Sequence, residues 1–360
     1  MSVGAGVVLD PDDRVLVTGS SGFIGSAVTR ALVARGAHVL AGVEPGADRG
    51  NLDGLDVEQL TLDIRDADGV ARATEGCRAV FHVAALYGFW PRDPSVFYAI
   101  NVEGTRHVLD AARSAGVERV VYTSSVATLG IEGTRHGVAS DETSYAIASH
   151  LFGAYKQSKY VAEHEVLRAG AEGLDVVLAL PTFPLGPRDR RPTPTGKLVL
   201  DFLNNKMPGY VDTAMNVAHV DDLAEGHLLA LEGGARGRSY IFGGQNLGMA
   251  DLLALLAERT GLPAPHRQFP AALALGAAYV SDTVQGRLLG REPAVPLEAA
   301  RMSTTHMVFD DRRARTELGY TSRPPGEALE DSARWFVDHG YVKPARRAQI
   351  RWKPTPSPED

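Results

Sequence analysis

The chain has 360 residues, more than the roughly 250 to 300 at which single hydrophobic cores stop growing, so we expect one large domain and a smaller partner domain. Its 37 basic and 44 acidic residues give a formal net charge of −7, which argues against binding to nucleic acid or anionic lipid and favours a small molecule as the partner. Cys77 is the single cysteine, which excludes an intramolecular disulfide and favours a cytoplasmic location.

The first half of the chain alternates short β-branched runs with helical patterns. The runs are apolar almost throughout, which is typical of parallel strands covered by helices on both faces. They are Val15 to Val17, Val39 to Val43, Val57 to Leu60, Ala79 to Val83, Val120 to Thr123 and Val176 to Leu180. We therefore predict an α/β fold with a doubly wound parallel sheet over residues 14–182.

After Pro181 the pattern changes, because proline, glycine and arginine become frequent and helical stretches predominate. This predicts a smaller, mostly helical lobe over residues 183–343, with late strands near 215–220 and 239–242 returning to the first sheet. We expect the ends, 1–13 and 344–360, to be flexible. The most apolar stretch, Ala271 to Val280, is shorter than the roughly 20 residues of a membrane span and is predicted to be a packed helix.

A glycine-rich turn follows the first predicted strand. Glycine there lets the backbone turn tightly and approach a pyrophosphate, whose charge the N-terminus of the next helix stabilises. The spacing is Gly-x-x-Gly-x-x-Gly instead of the commoner Gly-x-Gly-x-x-Gly, and the alternative is a tight turn without a ligand. The predicted dinucleotide loop comprises Gly19, Ser21, Gly22, Phe23, Ile24 and Gly25.

Charged residues follow the second and third predicted strands. Glu44 closes the second strand, where a carboxylate hydrogen-bonds the adenosine ribose and repels a 2′-phosphate. This favours NAD over NADP as the cofactor, although Arg49 is an alternative ligand for such a phosphate. Asp63 and Ile64 follow the third strand and are predicted to bracket the adenine; alternatively, Asp63 caps the next helix.

Tyr155 and Lys159 lie four residues apart on a predicted helix and therefore share one face. A free tyrosine, with a pKa of about 10, is a poor base at neutral pH, but a nearby ammonium and the positive nicotinamide ring favour the phenolate. Such a tyrosine exchanges a proton with a carbinol or carbonyl oxygen while hydride moves. The alternative for an isolated pair of this kind is a solvated surface pair.

Hydroxyls and small residues follow the fourth and fifth predicted strands. Residues Thr123 to Ser125 end the fifth strand, and ligands of open α/β sheets bind outside the carboxyl ends of strands. One of these hydroxyls is predicted to donate to the substrate oxygen, while at least one other closes a turn. After the fourth strand, Ala84 and Ala85 are small enough for the cofactor to lie close, and His82 is predicted to be a packed histidine.

At these residues the chain resembles the extended short-chain dehydrogenase/reductases, from about residue 14 to residue 343. The family's pattern appears as TGSSGFIG, Asp63-Ile64, HVAA, NVEGT, YTSS, Tyr155-x-x-x-Lys159 and HVDD. The resemblance implies a Rossmann domain that binds NAD(P). Within the family, strings such as GPRDRRPTPTGK and MPGYVDTAMNVAHVDDLAEGHLLAL look like the bacterial hopanoid-associated sugar epimerase group, which is itself similar to dihydroflavonol 4-reductases.

The resemblance also implies roles for individual residues. Tyr155 is the expected proton donor, and Lys159 is expected to bind the nicotinamide ribose and orient the tyrosine. Ser125 is expected to hydrogen-bond the substrate oxygen, with Ser124 supporting the cofactor side. The backbone of Pro181 and Thr182 is expected to face the nicotinamide amide. A homodimer through the helices carrying residues 95–115 and 153–169 is a further expectation from the family.

The substrate is less well defined by the sequence. Nucleotide-sugar epimerases resemble this pattern but have an asparagine just after the sixth strand and an arginine before the His-Val-x-Asp motif. Here Thr182-Phe183 and Met215 stand in those places, which argues against a diphosphate-binding site. Aromatic residues are the predicted substrate wall, or alternatively a cover for the core between the domains. They are Tyr87, Phe89, Trp90 and Phe183.

The main hypothesis is a hydride transfer that reduces a ketone or aldehyde, or oxidises the alcohol, on a small to medium hydrophobic or aromatic molecule, without a metal. The first alternative is an epimerase or dehydratase in which tightly bound NAD is reduced and regenerated. The second is a non-catalytic NAD(P) sensor. The main hypothesis and the first alternative differ in whether NADH is consumed.

Overall fold

The structure is a computed structural model, which describes residues 6–88, 93–131, 134, 137–147, 151–288, 291, 293 and 297–353. The strands are β1 Arg14–Thr18, β2 His38–Val43, β3 Glu58–Thr61, β4 Ala79–His82, β5 Arg119–Thr123, β6 Val176–Pro181, β7 Phe183–Leu185, β8 Tyr210–Val211, β9 Ala214–His219, β10 Ser239–Phe242, β11 Gln245–Gly248 and β12 Gln268–Phe269. The α-helices are α1 Phe23–Ala34, α2 Ala67–Thr74, α3 Ser95–Tyr98, α4 Gly104–Ala115, α5 Ala154–Ala171, α6 Pro194–Leu203, α7 Val220–Gly233, α8 Met249–Thr260, α9 Ala271–Ser281, α10 Leu297–Ser303, α11 Arg312–Leu318, α12 Pro325–Asp338 and α13 Pro344–Arg347.

The chain forms two compact units. The first comprises the chain up to Thr182 together with Val220–Gly243 and Phe309–Ser322. The second comprises Phe183–His219, Gly244–Val308 and the chain from Arg323 onward.

A seven-stranded sheet in the order β10-β6-β5-β4-β1-β2-β3 forms the centre of the first unit. Its pairings are all parallel. β4, β5 and β6 are buried along their whole length, because helices cover both faces of the sheet. The predicted doubly wound α/β fold is therefore confirmed. The strand order reverses between β1 and β4, and the carboxyl ends of strands at such a point form the usual ligand site.

One of the two late strands does not return to this sheet. β10 pairs with β6 as predicted, but β9 lies in a separate three-stranded sheet in the order β11-β9-β7. The prediction for residues 215–220 is therefore wrong about the partner, although the segment is a strand. β9 pairs antiparallel with β11, and Asn216 reinforces that pairing by donating to the side chain of Asn246 at 2.8 Å.

The described part of the segment before β1, which begins at residue 6, packs on the first unit instead of lying free as expected. The Val7 side chain is buried, and its backbone N–H donates to the Leu231 carbonyl at 3.1 Å. α7, which carries Leu231, packs against α1, and Arg35 just after α1 pairs with both Glu225 and Glu232. The lead-in is therefore held by apolar burial and a backbone hydrogen bond.

Helices α6, α8 and α12 of the second unit enclose an apolar core. Its buried side chains include Val199, Phe202, Leu252, Leu256, Leu329 and Phe336. Residues 344–353 pack on this core, contrary to the expected flexible end, because Ile350 is buried and the Arg351 N–H donates to the Thr260 carbonyl at 2.8 Å.

The apolar helix α9 is more exposed than predicted. Leu273, Tyr279 and Val280 are each about 60% exposed, whereas Ala278 is fully buried. Among the residues that the structure describes, no helix combines the length and the apolar character that crossing a membrane requires.

A short π-helical segment, Ala99–Glu103, joins α3 to α4. Such segments are uncommon and often occur at functional sites, because the extra residue redirects a side chain. Here the segment carries Asn101, which is buried and turned toward the carboxyl end of the sheet.

Candidate active site

The three glycines of the turn after β1 have separate steric roles. Gly19 has φ +70°, and a Cβ there would lie 2.8 Å from the Ala84 Cα. A Cβ on Gly25 would lie 2.1 Å from the Gly19 carbonyl oxygen, so this position allows α1 to pack closely on the turn. Gly22 meets only that same oxygen, at 3.1 Å, and otherwise faces open space. A ligand can therefore approach the backbone at Gly22.

The first turn of α1 presents backbone N–H groups to this open side. Gly22 is the N-cap and contributes no side-chain cap, and the first turn contains no acidic residue. The first N–H groups of a helix have no partner within the helix, and the dipole adds a partial positive charge there. Phe23 and Ile24 belong to this turn and Ser21 directly precedes its N-cap, where they suit a pyrophosphate. The turn therefore fits the predicted dinucleotide.

Glu44 and Arg49 both follow β2, but they differ in the hydrogen bonds that their side chains make. The Glu44 side chain is exposed and makes no hydrogen bond to a helix end or a strand in the part of the chain that the structure describes. Arg49 donates to the Thr61 hydroxyl at 2.7 Å and to the Gln59 side chain at 3.2 Å, so it lies along β3. Glu44 is thus the side chain of the two that is available to a ribose.

Asp63 pairs with Arg65 and does not cap α2. The Arg65 guanidinium donates to both carboxylate oxygens, at 2.9 and 2.6 Å, and holds the pKa of Asp63 below its usual value. The same pairing, with a smaller contribution from Glu44, raises the pKa of Arg65. Ile64 is buried, and its side chain fills the space where Gly104 lacks a Cβ. Sequence reasoning missed Arg65, although an Asp followed two residues later by Arg is a usable signal.

A buried hydrogen-bond chain connects β4 to the cofactor loop. Thr105 donates to the Asn101 carbonyl, so it accepts from His82 Nε2 at 2.9 Å. His82 Nδ1 then accepts from the Thr18 hydroxyl at 2.8 Å, and Thr18 accepts from the Ala84 N–H at 3.1 Å. Burial lowers the pKa of His82 to about 3, so the ring is neutral. His82 is therefore a packed, fully partnered histidine, and it fixes the backbone at Ala84, whose neighbour Ala85 is exposed.

Asn101 ties the loop after β4 to helix α5, a role that sequence reasoning missed. Its side-chain oxygen accepts from the Leu86 N–H at 2.7 Å, and its amide group donates to the Leu86 carbonyl at 3.1 Å and to the Ser158 hydroxyl at 2.9 Å. Ser158 in turn donates to the Tyr155 carbonyl at 2.8 Å. The string NVEGT contained the signal, but the residue spacing did not reveal the partners.

The three hydroxyls at the end of β5 face different partners. Thr123 donates to His227 Nε2 at 2.9 Å, because His227 Nδ1 donates to the Leu223 carbonyl. Ser124 donates to the buried carboxyl of Glu163. Ser125 accepts from the Ala127 N–H at 3.1 Å, which leaves its own O–H able to donate to a ligand. Of the three, Ser125 therefore suits a substrate oxygen.

Lys159 lies on α5, buried against β5. Its Nζ donates to the Thr123 carbonyl at 2.7 Å and to the Tyr122 hydroxyl at 3.1 Å. Burial lowers its pKa to about 7, while the charge of Glu163 acts in the opposite direction. The amine therefore changes its charge near neutral pH.

Tyr155 lies in the first turn of the same helix, near the positive end of the helix dipole. Its ring packs edge-on against Tyr87, with centroids 4.6 Å apart, and against Phe97 at 6.2 Å. The ring also packs with Ala127, whose N–H donates to Ser125. Tyr155, Ser125 and Tyr87 are therefore neighbours in an apolar setting.

Two predicted residues end β6. Pro181 is the last residue of β6, and the N–H of Thr182 donates to the Phe242 carbonyl at 3.2 Å. The Thr182 hydroxyl is buried without a hydrogen-bond partner among the described residues. Such an atom fits a site completed by a polar ligand, as the predicted nicotinamide amide is.

The remaining substrate predictions fall elsewhere. Phe183 opens β7 in the second unit. Phe89 and Trp90 lie outside the described residues. Met215 is buried in the core of the second unit, where it packs as an ordinary apolar side chain.

Comparison with known proteins agrees with this geometry. The model of the NAD-dependent epimerase/dehydratase family matches residues 15–243. A dihydroflavonol 4-reductase-like protein of Synechocystis sp. is 43% identical over 92% of this chain and 96% of that protein. Sterol demethylase protein B of Methylococcus capsulatus is 33% identical over 91% of this chain and 99% of that protein. The crystal structure of gox2253 superposes with a TM-score of 0.82, at 43% identity, over 92% of this chain and all of that chain.

Proposed function

The chain belongs to the NAD-dependent epimerase/dehydratase family and is an NAD(P)-dependent oxidoreductase of the extended short-chain dehydrogenase/reductase type, and from this premise we propose that it reduces a ketone or aldehyde on a hydrophobic or aromatic small molecule. The observation that carries the proposal is the group of Tyr155, Lys159 and Ser125 at the carboxyl end of β5. Nicotinamide, when bound, supplies or accepts the hydride.

In the proposed reaction Tyr155 donates its phenolic proton to the carbonyl oxygen. The Ser125 hydroxyl, free to donate, hydrogen-bonds that same oxygen as its negative charge develops. Lys159 stabilises the phenolate that remains, because an ammonium in a buried setting interacts strongly with a neighbouring anion. The aromatic rings of Tyr87 and Phe97, which pack beside Tyr155, favour an apolar substrate.

We infer that the cofactor is NAD and not NADP. The exposed carboxylate of Glu44 suits ribose hydroxyls and repels a 2′-phosphate, and Arg49 is engaged with Gln59 and Thr61. The cradle would comprise Gly22, the first turn of α1, Ala84 and the unpartnered hydroxyl of Thr182.

Reduction, not nucleotide-sugar epimerisation, is the activity that this chain's residues favour. Met215 is a buried apolar residue where a diphosphate-binding epimerase would need a cation. One relative is named as a dihydroflavonol 4-reductase, and a reductase agrees with the aromatic side chains around Tyr155.

The test is a titration of the purified protein with NADH and NADPH by fluorescence, followed by a panel of aromatic and aliphatic carbonyls at the nicotinamide absorbance. We expect tighter binding of NADH and its stoichiometric consumption. Tyr155→Phe should keep the affinity for NADH and lose about 10²- to 10⁴-fold in turnover. Tyr160→Phe, on the same helix with its ring against His164, is the matched control and should keep its turnover. Conversion of a substrate at constant NADH would support the epimerase or dehydratase instead.

We also propose a homodimer through α4 and α5. Ion pairs join the two helices, Arg106 with Glu165 at 2.7 Å and Arg113 with Glu172 at 2.9 Å, while Tyr98 and Val161 leave apolar surface exposed. Light scattering that gives the mass of a monomer at micromolar concentration would exclude it.

A further inference from the structure

Helix α5 carries a buried carboxyl one turn beyond Lys159. Glu163 is 9% exposed, and the hydroxyls of Ser124 and Thr128 both donate to its Oε2, the second at 2.9 Å. The single hydroxyl proton of Thr128 is shared between this oxygen and the Ser125 carbonyl, whose oxygen lies 2.7 Å from the Thr128 hydroxyl. The carboxyl therefore connects α5 to the loop that presents Ser125.

The charge of Glu163 also affects the pKa of Lys159. The two residues are four apart on one helix, and the negative charge of Glu163 raises the pKa of Lys159 while burial lowers it. The lysine acts in return to lower the pKa of Glu163, against a larger rise from burial, and His164 acts in the same direction as the lysine.

Two other titratable groups near Lys159, on β4 and β5, are neutral near neutral pH. Burial lowers the pKa of His82 on β4 to about 3 and raises the pKa of Tyr122 on β5. Tyr155 lies on the same helix, one turn before the lysine. Glu163 is thus the acid that acts on the buried amine.

We propose that Glu163 is a positioning residue for hydride transfer: its carboxylate is the buried counter-charge of Lys159 and ties the loop carrying Ser125 to the helix carrying Tyr155. The proposal rests on the proposed function of those three residues. Glu163 itself contacts neither substrate nor cofactor, and it acts through the ammonium and the serine loop.

The test is the pH profile of kcat in Glu163→Gln. Glutamine keeps an oxygen for the two hydroxyls but removes the charge, so Lys159 loses its proton at lower pH. The basic limb of the profile should therefore move to lower pH by about one unit, because a neighbouring opposite charge shifts a pKa by about that much. Glu163→Asp, which keeps the charge, should leave the limb in place and lower kcat.

The matched control is Glu165→Gln on the same helix, whose carboxylate pairs with Arg106 and Arg168, and it should not move the limb. An unmoved limb in Glu163→Gln, with NADH affinity retained, would overturn the proposal. The shift also has a readout without turnover, because the pH dependence of the unfolding free energy of the free protein reports the same Lys159 titration. Failure of the proposed function is distinguishable, since the unmutated protein would then consume no NADH.

Discussion

Replacing Lys159 by methionine should remove a specific pH dependence from the stability of the cofactor-free protein. Burial of the amine lowers its pKa from 10.5 in the unfolded chain to about 7 in the folded one. Between these values the unfolded chain holds a proton that the folded chain has released. Stability from this group therefore rises as pH increases from 7 toward 10.5.

The size of the effect follows from the two pKa values. One pKa unit corresponds to about 1.4 kcal/mol, and the rise is partial near pH 7, where the folded amine is half protonated. Between pH 7 and pH 9 the unfolding free energy should increase by about 2 kcal/mol through Lys159 alone. Lys159→Met lacks this increment, because methionine fills a similar volume and does not titrate.

The assay is urea unfolding of both proteins at half-unit steps from pH 6.5 to 9, read as the difference between their unfolding free energies. Groups common to both proteins cancel in that difference. Lys197→Met is the control, since this side chain is 60% exposed and pairs with Asp201 on the surface, so its curve should run parallel to that of the unmutated protein. Parallel curves for Lys159→Met as well would refute the reasoning that burial sets the charge of the amine.

Two further predictions concern the cofactor site, and a third concerns the loop after β4. Gly25→Ala should weaken NADH binding more than tenfold, because the new Cβ would lie 2.1 Å from the Gly19 oxygen, whereas Gly276→Ala meets no atom within 4 Å and should leave the Kd unchanged; equal Kd values would contradict this. Glu44→Arg should shift the ratio of the NADPH and NADH affinities on the order of tenfold toward NADPH, and an unchanged ratio would show that Glu44 does not face the ribose. Asn101→Ala should lower the unfolding free energy by about 2 to 4 kcal/mol, because it removes one buried and two partly buried hydrogen bonds. A loss below about 0.5 kcal/mol in urea unfolding would show that Asn101 does not hold the loop after β4 to α5.

The strands of the central sheet were predictable because burial on both faces requires apolar residues along the whole strand. β4 to β6 are buried on both faces, so their sequences are continuous apolar runs. The partner of a strand is harder to predict. β9 reads as an apolar strand, but its pairing with β11 depends on a side-chain contact between Asn216 and Asn246, which are 30 residues apart. The same limit applies to Val7 and Ile350, whose burial depends on distant surfaces.

The candidate site divides in the same way. Local spacing rules in the sequence predict four of the site residues, Gly19, Gly25, Tyr155 and Lys159. The functional roles of these residues remain predictions. Glu163 and Asn101 have roles that arise from contacts 39 and 57 residues away along the chain. The burial of Glu163 could not be predicted from the sequence, because α5 carries several other charged residues and the partners of Glu163 lie on a distant segment.

Two buried neutral histidines, one on β4 and one on α7, make the stability of the fold depend steeply on pH in acid. His82 and His227 are both enclosed, with pKa values lowered by burial to about 3 and about 4. As pH falls below about 6.5, both histidines become protonated in the unfolded chain but stay neutral in the folded one. Each pH unit of acidification therefore lowers the unfolding free energy by up to about 2.7 kcal/mol. Through these two histidines the folded state should therefore lose stability steeply as the pH falls below about 6.5.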